Sequence, residues 1–282
     1  MHFLELPLVF FTVLAQCAVG AYLLVSTRMM CITDAEQSKN LAVKTLFFVL
    51  GFMAIGFAAS TLHLGSPFRA FNSFNRVGAS GLSNEIITGS IFFAIAGIYW
   101  LMVLLGIGTR PIRTGLRHLG SVAGIIFMGA MIKVYLINTV PLWNNIFTPV
   151  EFIFTVLTAG LLFGYVLLNA FDVRSLVANK IMAAIGVLLI GVHFVVMIAR
   201  VLDFSTVVTS IHQGSTALTE YSSMIMVQCI LMLIAAAFWS LSAHQDNNKV
   251  RFYSLIALVA LIAAEIFGRG VFYGMHFTFG LI

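Results

Sequence analysis

The chain has 282 residues, of which 61% are AVILMFWYC and only 9% are charged, and its mean hydropathy is +1.05. Soluble globular domains average about 45–50% apolar and about 25% charged residues. A water-soluble fold of this composition would expose an apolar surface too large to stay monomeric, so the soluble and disordered classes are excluded.

The apolar residues lie in continuous runs, which excludes the alternating runs of about ten residues typical of an outer-membrane barrel. Each run has about twenty residues, the length of a membrane-spanning helix. In sequence order the predicted spans 1 to 8 cover residues 7–27, 41–64, 84–107, 116–137, 150–170, 181–202, 220–241 and 252–275. The connections are short. The prediction is an all-α polytopic membrane protein with eight transmembrane helices, forming a single integral-membrane domain over residues 1–282.

Basic residues collect on one side of the predicted membrane. Ten of the 15 Lys and Arg residues lie at the connections after spans 1, 3, 5 and 7: Arg28, Lys39, Lys44, Arg110, Arg113, Arg117, Arg174, Lys180, Lys249 and Arg251. Three lie on the other side, namely Arg69, Arg76 and Arg200. Cytoplasmic loops carry an excess of Lys and Arg, so both termini are expected to be periplasmic in a bacterial inner membrane. The net charge of +5 then reflects topology and does not indicate a nucleic-acid partner.

The sequence lacks the residue pattern of a resident metal centre. Its three cysteines, Cys17, Cys31 and Cys229, form no CxxC pair, which argues against a Cys-ligated zinc site or iron–sulfur cluster. His193 and His276 are candidates for a b-type haem, but their predicted depths differ by more than half the membrane. No haem or metal is therefore expected in this protein.

The most informative segment is residues 60–90, between spans 2 and 3. His63 ends span 2, and Glu85 begins span 3. Between them, Arg69, Asn72 and Arg76 fall within roughly 60° of a helical wheel. Three Phe residues, 68, 71 and 74, occupy a separate arc. The pattern predicts a short amphipathic helix at the membrane interface.

Ionisable groups at membrane depth are expensive and commonly mark a binding site, a proton path or an ion pair. A histidine can accept the proton of a hydroquinone hydroxyl, and a nearby carboxylate can orient the ring or relay that proton. Simpler interpretations remain open. Glu85 could favour a helix N-terminus by its charge, and Arg69 and Arg76 could anchor lipid headgroups. The shared depth of His63, Glu85 and the two arginines favours a site.

Five further residues in or near the predicted spans are polar or titratable and also need an interpretation. Glu265 and Arg269 are spaced i, i+4 in span 8, which predicts a mutual ion pair or, alternatively, a proton path or a wall of the same pocket. Thr148-Pro149-Val150-Glu151 matches a capping box, which predicts that Glu151 caps a helix. Lys133 and Tyr135, near the outer end of span 4, are ambiguous.

The run from His63-Leu-Gly-Ser-Pro-Phe-Arg69 through Asn-Arg76 to Ser-Asn-Glu85 closely resembles the membrane-anchor subunit of bacterial anaerobic dimethyl sulfoxide reductase, the DmsC family. The ending Glu265-Ile-Phe-Gly-Arg269-Gly-Val-Phe-Tyr-Gly-Met-His276 resembles the C-terminus of the same family. The resemblance implies an anchor without a redox centre that oxidises menaquinol. It implies two partners, an iron–sulfur subunit with four [4Fe–4S] clusters and a molybdopterin catalytic subunit. Residues matching His63 and Glu85 are implicated in quinol binding in that family.

The function expected from the sequence is therefore the quinol-oxidising anchor of an anaerobic respiratory reductase in the bacterial inner membrane. The protein alone holds no complete active site. The expected site comprises His63 and Glu85 as proton acceptors, with Arg69, Asn72, Arg76, Glu265 and Arg269 as further quinol-binding residues. Two alternatives stay open, a proton-coupled transporter built around Glu265 and Arg269 and a haem-bearing cytochrome anchor.

Overall fold

The computed structural model of the protein describes residues 6–63, 75–171, 176–207, 214–245 and 248–276. The described residues form helices and turns without strands. The helices are α1 (Leu6–Met30), α2 (Ala35–His63), α3 (Gly81–Leu104), α4 (Arg110–Tyr135), α5 (Phe147–Thr155), a π-helical segment (Val156–Gly160), α6 (Leu161–Phe171), α7 (Leu176–Thr206), α8 (Gly214–Ser242) and α9 (Asn248–Gly274). The segments α5, π and α6 run on from one another and are called the fifth span.

Within the described ranges, eight helices are long and apolar enough to cross a membrane, as predicted. Several begin earlier than hydropathy alone indicates. The second starts at Ala35 because Asp34 precedes it and accepts a hydrogen bond from the Gln37 amide at 2.7 Å. The fourth starts at Arg110, with Pro111 in its first turn. Hydropathy marks only the apolar part of a helix, whereas the hydrogen-bonded helix continues through its charged ends.

The helices pack as two neighbouring groups of four. In one group α1 and α3 each contact α2 and α4. In the other group α8 contacts α7 and α9, which in turn contact the fifth span. Helix α1 also packs along the fifth span and α9, so it joins the two groups. Its most apolar stretch is 78% buried, against 28% for α3, which identifies α1 as the central helix.

Consecutive spans run in opposite directions, so α1 begins and α9 ends at one end of the bundle, called here the terminal end. The opposite end, called the basic end, carries the Lys and Arg residues near the connections between α1 and α2, α3 and α4, and α8 and α9. Arg200, which the sequence analysis counted with the outer side although it falls within predicted span 6, lies inside α7 and is buried. It therefore does not belong to an outer connection.

Backbone contact between α1 and the π-helical segment sets the spacing at the centre of the bundle. A Cβ added at Gly20 would lie 2.7 Å from the Gly160 Cα and would also meet the Val156 carbonyl oxygen. Small residues allow such close approach of membrane helices, where packing rather than water exclusion holds helices together. At both positions the neighbour is backbone and cannot move aside.

We expect Gly20→Ala to lower stability by about 1–3 kcal/mol, because the added methyl group separates two backbones that are already in contact. Gly97→Ala in α3 is the matched control, since nothing lies within 4 Å of its added Cβ. Thermal unfolding in detergent measures both. Equal melting temperatures for the two variants would contradict the central role of this contact.

Candidate functional site

A network of buried polar side chains lies in the terminal half of the bundle, centred on Glu265 and Arg269 of α9. The Glu265 carboxylate accepts hydrogen bonds from the Thr155 hydroxyl at 2.9 Å and the Thr158 hydroxyl at 3.4 Å. Arg269 Nη2 donates to Thr155 Oγ1 at 3.3 Å and to Gln16 Oε1 of α1 at 3.0 Å. The sequence predicted a direct ion pair between Glu265 and Arg269. The Thr155 hydroxyl instead lies between the two side chains and hydrogen-bonds to both.

His193 of α7 faces the same carboxylate. Its Nδ1 lies 3.5 Å from Glu265 Oε1, and its ring stacks on Phe154 with centroids 5.3 Å apart. The histidine is 2% exposed, and within the described part of the protein Nδ1 has no hydrogen-bond partner. The imidazole is therefore placed where a small movement or a water molecule would connect it to Glu265.

Aromatic rings enclose the Arg269 guanidinium. Its central carbon lies 3.6 Å from the centroid of the Phe152 ring and 5.6 Å from that of Phe272. A cation over an aromatic face is stabilised, and more strongly where water is excluded. Together with the nearby Glu265 carboxylate, these rings explain how a charged arginine is accommodated in a helix that spans a membrane.

A buried ion pair joins α5 to α7. Arg200 Nη1 donates to Glu151 Oε2, and both residues are buried. The capping-box prediction for Glu151 is therefore wrong. The helix start is instead satisfied by Asn145, whose side-chain oxygen accepts from the Phe147 amide at 2.8 Å. Thr148, the expected cap, donates its hydroxyl to the Trp143 carbonyl at 2.6 Å.

Two tyrosines connect the two groups of helices at the terminal end. The Tyr273 hydroxyl of α9 donates to the Tyr135 hydroxyl of α4 at 2.5 Å, and both side chains are buried. Around them, Trp143 stacks on Phe272 with centroids 5.3 Å apart and donates its indole N–H to the Phe272 carbonyl at 2.8 Å. Of the two ambiguous residues in span 4, Tyr135 thus lies in the interior, whereas Lys133 is exposed.

Glu85 lies in the interface between α3 and α4 and is 1% exposed. It shares a helix face with Gly81 and Gly89, at which an added Cβ would contact Val134 and Phe127 of α4. Glu85 Oε1 has no hydrogen-bond partner among the side chains and backbone that the structure describes. The residue lies in the second turn of α3, beyond the first turn in which a helix dipole acts most strongly.

The predicted site residues are thus only partly brought together. His63 is the last residue of α2, and its side chain lies outside the described residues. Arg69, Asn72 and the predicted amphipathic helix also lie outside them. Arg76 is exposed in a short turn before α3, where its carbonyl accepts from the Ser80 amide at 3.0 Å. Glu265 and Arg269 belong to the central network rather than to the α3–α4 interface.

Sequence reasoning missed Gln16, Thr155 and Thr158, which supply the hydrogen bonds that hold Glu265 and Arg269. Gln16 could have been identified from the sequence, since a side-chain amide inside an apolar span needs a buried hydrogen-bond partner. The two threonines gave no such indication. A threonine hydroxyl in a helix commonly bonds to the backbone carbonyl one turn earlier, and both lie within reach of that carbonyl, so neither requires a partner on another helix.

Unpaired polar atoms concentrate in this half of the bundle. Buried atoms that lack a hydrogen-bond partner in the described ranges include Glu85 Oε1, Glu151 Oε1, His193 Nδ1, Arg200 Nη2 and Gln228 Oε1. Buried polar groups are nearly always satisfied by protein, water or ligand. The arrangement can therefore hold water molecules, or accept and release protons, next to an apolar interior.

We expect Arg200→Gln to lower stability by about 3–5 kcal/mol, since it leaves the Glu151 carboxylate buried without a cation. Adding Glu151→Gln to this variant should recover part of the loss. Thermal unfolding in detergent measures both, and exposed Lys133→Gln at the same end is the control. If Arg200→Gln were as stable as the Lys133→Gln control, the ion pair between Arg200 and Glu151 would contribute nothing to stability.

Comparisons with known proteins agree with a membrane anchor. Residues 1–275 match the family model described as DMSO reductase anchor subunit (DmsC). The protein is 37% identical over 278 residues to the C subunit of anaerobic dimethyl sulfoxide reductase from Escherichia coli K12, covering 98% of this sequence and 96% of that one. It is 38% identical to the anaerobic dimethyl sulfoxide reductase subunit YnfH of the same strain and 38% identical to the C subunit from Haemophilus influenzae, with the same coverage.

Proposed function

The chain belongs to the DMSO reductase anchor subunit (DmsC) family, and from this premise we propose that it oxidises menaquinol and passes the electrons to an iron–sulfur subunit. That partner would carry four [4Fe–4S] clusters and deliver the electrons to a molybdopterin catalytic subunit. The anchor would supply the quinol site and the path for protons. The complex would be embedded in the bacterial inner membrane as a respiratory reductase.

The observation that carries this proposal is the carboxylate of Glu85. A carboxyl group with an unpaired oxygen, buried near the start of α3, is a proton acceptor inside an apolar surrounding. Helix α2 packs against α3 and ends at His63, which brings the backbone of His63 to the same end of the bundle. An apolar quinol ring needs an apolar binding surface and a nearby base, and Glu85 is the described candidate for that base.

In the proposed reaction menaquinol loses two protons and two electrons and becomes menaquinone. His63 hydrogen-bonds one hydroxyl and takes its proton, while Glu85 orients the imidazole or relays the proton outward. Arg69 or Arg76 stabilises the anion formed when the first proton leaves, by charge-assisted hydrogen bonds, and Asn72 is a further quinol-binding residue. The electrons pass directly to an iron–sulfur cluster of the partner.

The proposed docking face is the terminal end, on the periplasmic side. The basic end carries most of the Lys and Arg residues, as cytoplasmic ends do. With Arg200 buried in α7, only Arg69 and Arg76 remain in the opposite connections, which strengthens the asymmetry. The partner would then lie next to residues 64–84, beside the quinol site.

Glu265 and Arg269 are proposed to form the inner wall of this site or a proton route from it. Their network also favours the rival function of proton-coupled transport, because His193, Glu265 and Arg269 form a series of titratable groups inside the bundle. The isolated protein in liposomes with a pH-sensitive dye separates the two functions. Proton flux without partner subunits would support transport and contradict a quinol-oxidising anchor.

We expect His63→Ala to abolish quinol-dependent reduction in membranes, while complex assembly and reduction by an artificial soluble donor stay intact. The reason is that the variant loses the first proton acceptor but leaves the partners untouched. His244→Ala, exposed at the basic end, is the control. Saturable quenching of a fluorescent quinol-site inhibitor should disappear in His63→Ala only. Equal inhibitor binding by His63→Ala and His244→Ala would show that the quinol pocket lies elsewhere in the protein.

We expect Glu85→Gln to slow quinol oxidation by about a hundredfold or more, the usual contribution of a positioned acid or base. The amide keeps the shape of the side chain but cannot take a proton. Glu220→Gln, an exposed carboxylate near the start of α8, is the matched control. Steady-state rates with a quinol analogue, normalised to assembled complex, measure the effect. If Glu85→Gln oxidised quinol at the wild-type rate, Glu85 would have only a structural role.

A further inference from the structure

A pocket of about 560 Å³ opens at the basic end, away from the proposed quinol site. It lies between the connection from α1 to α2, the end of α3 and the first two turns of α4. Four basic side chains of the Lys and Arg type line it, namely Lys39, Arg110, Arg113 and Arg117. The acidic side chain in its lining is Asp34, and Asp34 Oδ1 already accepts the Gln37 amide at 2.7 Å.

Arg117 is the distinctive member of this lining. It is 8% exposed, and its Nε has no hydrogen-bond partner in the described part of the protein. The Tyr22 hydroxyl of α1 donates to the Arg117 carbonyl at 3.1 Å, which fixes its backbone. Leaving a buried donor of a charged group unsatisfied is costly, so an anion in the pocket would relieve a cost already present in the protein.

Arg113 is held in a different way. Its Nε donates to the Ile107 carbonyl at 3.0 Å and its Nη2 to the Gly108 carbonyl at 2.9 Å. These bonds tie the start of α4 to the turn after α3, in which Gly108 has a positive φ of 84°. Arg113 therefore shapes the pocket, while Lys39, Arg110 and the unpaired Nε of Arg117 are the groups that an anion would meet.

Apolar side chains continue from the pocket onto the outer surface of the bundle. Ile107 is 55% exposed and Ile112 is 52% exposed on either side of the start of α4, and Met30 of the lining is 62% exposed. Exposed apolar side chains of a membrane helix face acyl chains. A phosphate in the pocket is thus next to a surface that suits the hydrocarbon of the same molecule.

We propose that this pocket binds the phosphate of an anionic phospholipid, with Arg117 as the buried ligand and Lys39 and Arg110 at the rim. Guanidinium groups bind phosphate oxygens by bidentate, charge-assisted hydrogen bonds. Basic pockets between membrane helices at the cytoplasmic side suit such headgroups. The acyl chains lie along the exposed apolar side chains beside α4.

The test is native mass spectrometry of the purified full-length protein, titrated separately with phosphatidylglycerol, phosphatidylcholine and inorganic phosphate. The wild type should retain phosphatidylglycerol in preference to phosphatidylcholine. Arg117→Gln should weaken phosphatidylglycerol binding about tenfold to a hundredfold, since it removes a charge-assisted hydrogen bond. Lys180→Gln with Lys249→Gln, two exposed basic residues at the same end, should bind like the wild type.

Because Arg117→Gln removes a buried side chain, Lys39→Gln with Arg110→Gln provides a second variant at the rim of the pocket. This variant should also bind phosphatidylglycerol more weakly than the Lys180 and Lys249 control. Equal binding by the control and both pocket variants would overturn the proposal. Displacement of phosphatidylglycerol by an equimolar amount of inorganic phosphate would assign the pocket to free phosphate and would also overturn it.

Discussion

The close approach of α1 to the π-helical segment is the constraint on which the interior depends. At Gly20 and Gly160 the two backbones touch without side chains between them. Gln16 lies one turn before Gly20, and Thr155 directly precedes the π-helical segment, so the same approach brings both within reach of Arg269. π-helical turns are uncommon and often lie near functional sites. Here the turn is adjacent to Glu265, the centre of the polar network.

This geometry explains how a largely apolar protein accommodates its buried charges. Removing a charged group from water costs several kcal/mol unless partners replace the lost hydration. Arg269 has Gln16, Thr155 and the Phe152 ring, and Arg200 has Glu151. Each set of partners comes from different helices. The polar network consequently favours one arrangement of α1, the fifth span, α7 and α9, beyond what apolar packing alone would specify.

Sequence reasoning predicted the spans well because length and hydropathy are local properties of a polypeptide. It failed for Glu151, whose local pattern matches a capping box, because the partner Arg200 lies 49 residues away on another helix. It found Glu265 and Arg269, since ionisable residues in an apolar run are conspicuous. The spacing of those two residues on one helix could not reveal Thr155, which stands between them from a neighbouring helix.

The hydrogen-bonded tyrosine pair at the terminal end links the central polar network to the part of the bundle that contains Glu85. At the terminal end Tyr273 and Tyr135 join α9 to α4, and Tyr135 follows Val134, which faces Gly81 one turn before Glu85. The tyrosine pair therefore connects α9, which carries Glu265 and Arg269, to α4, which packs against the helix of Glu85, although these helices lie in different groups.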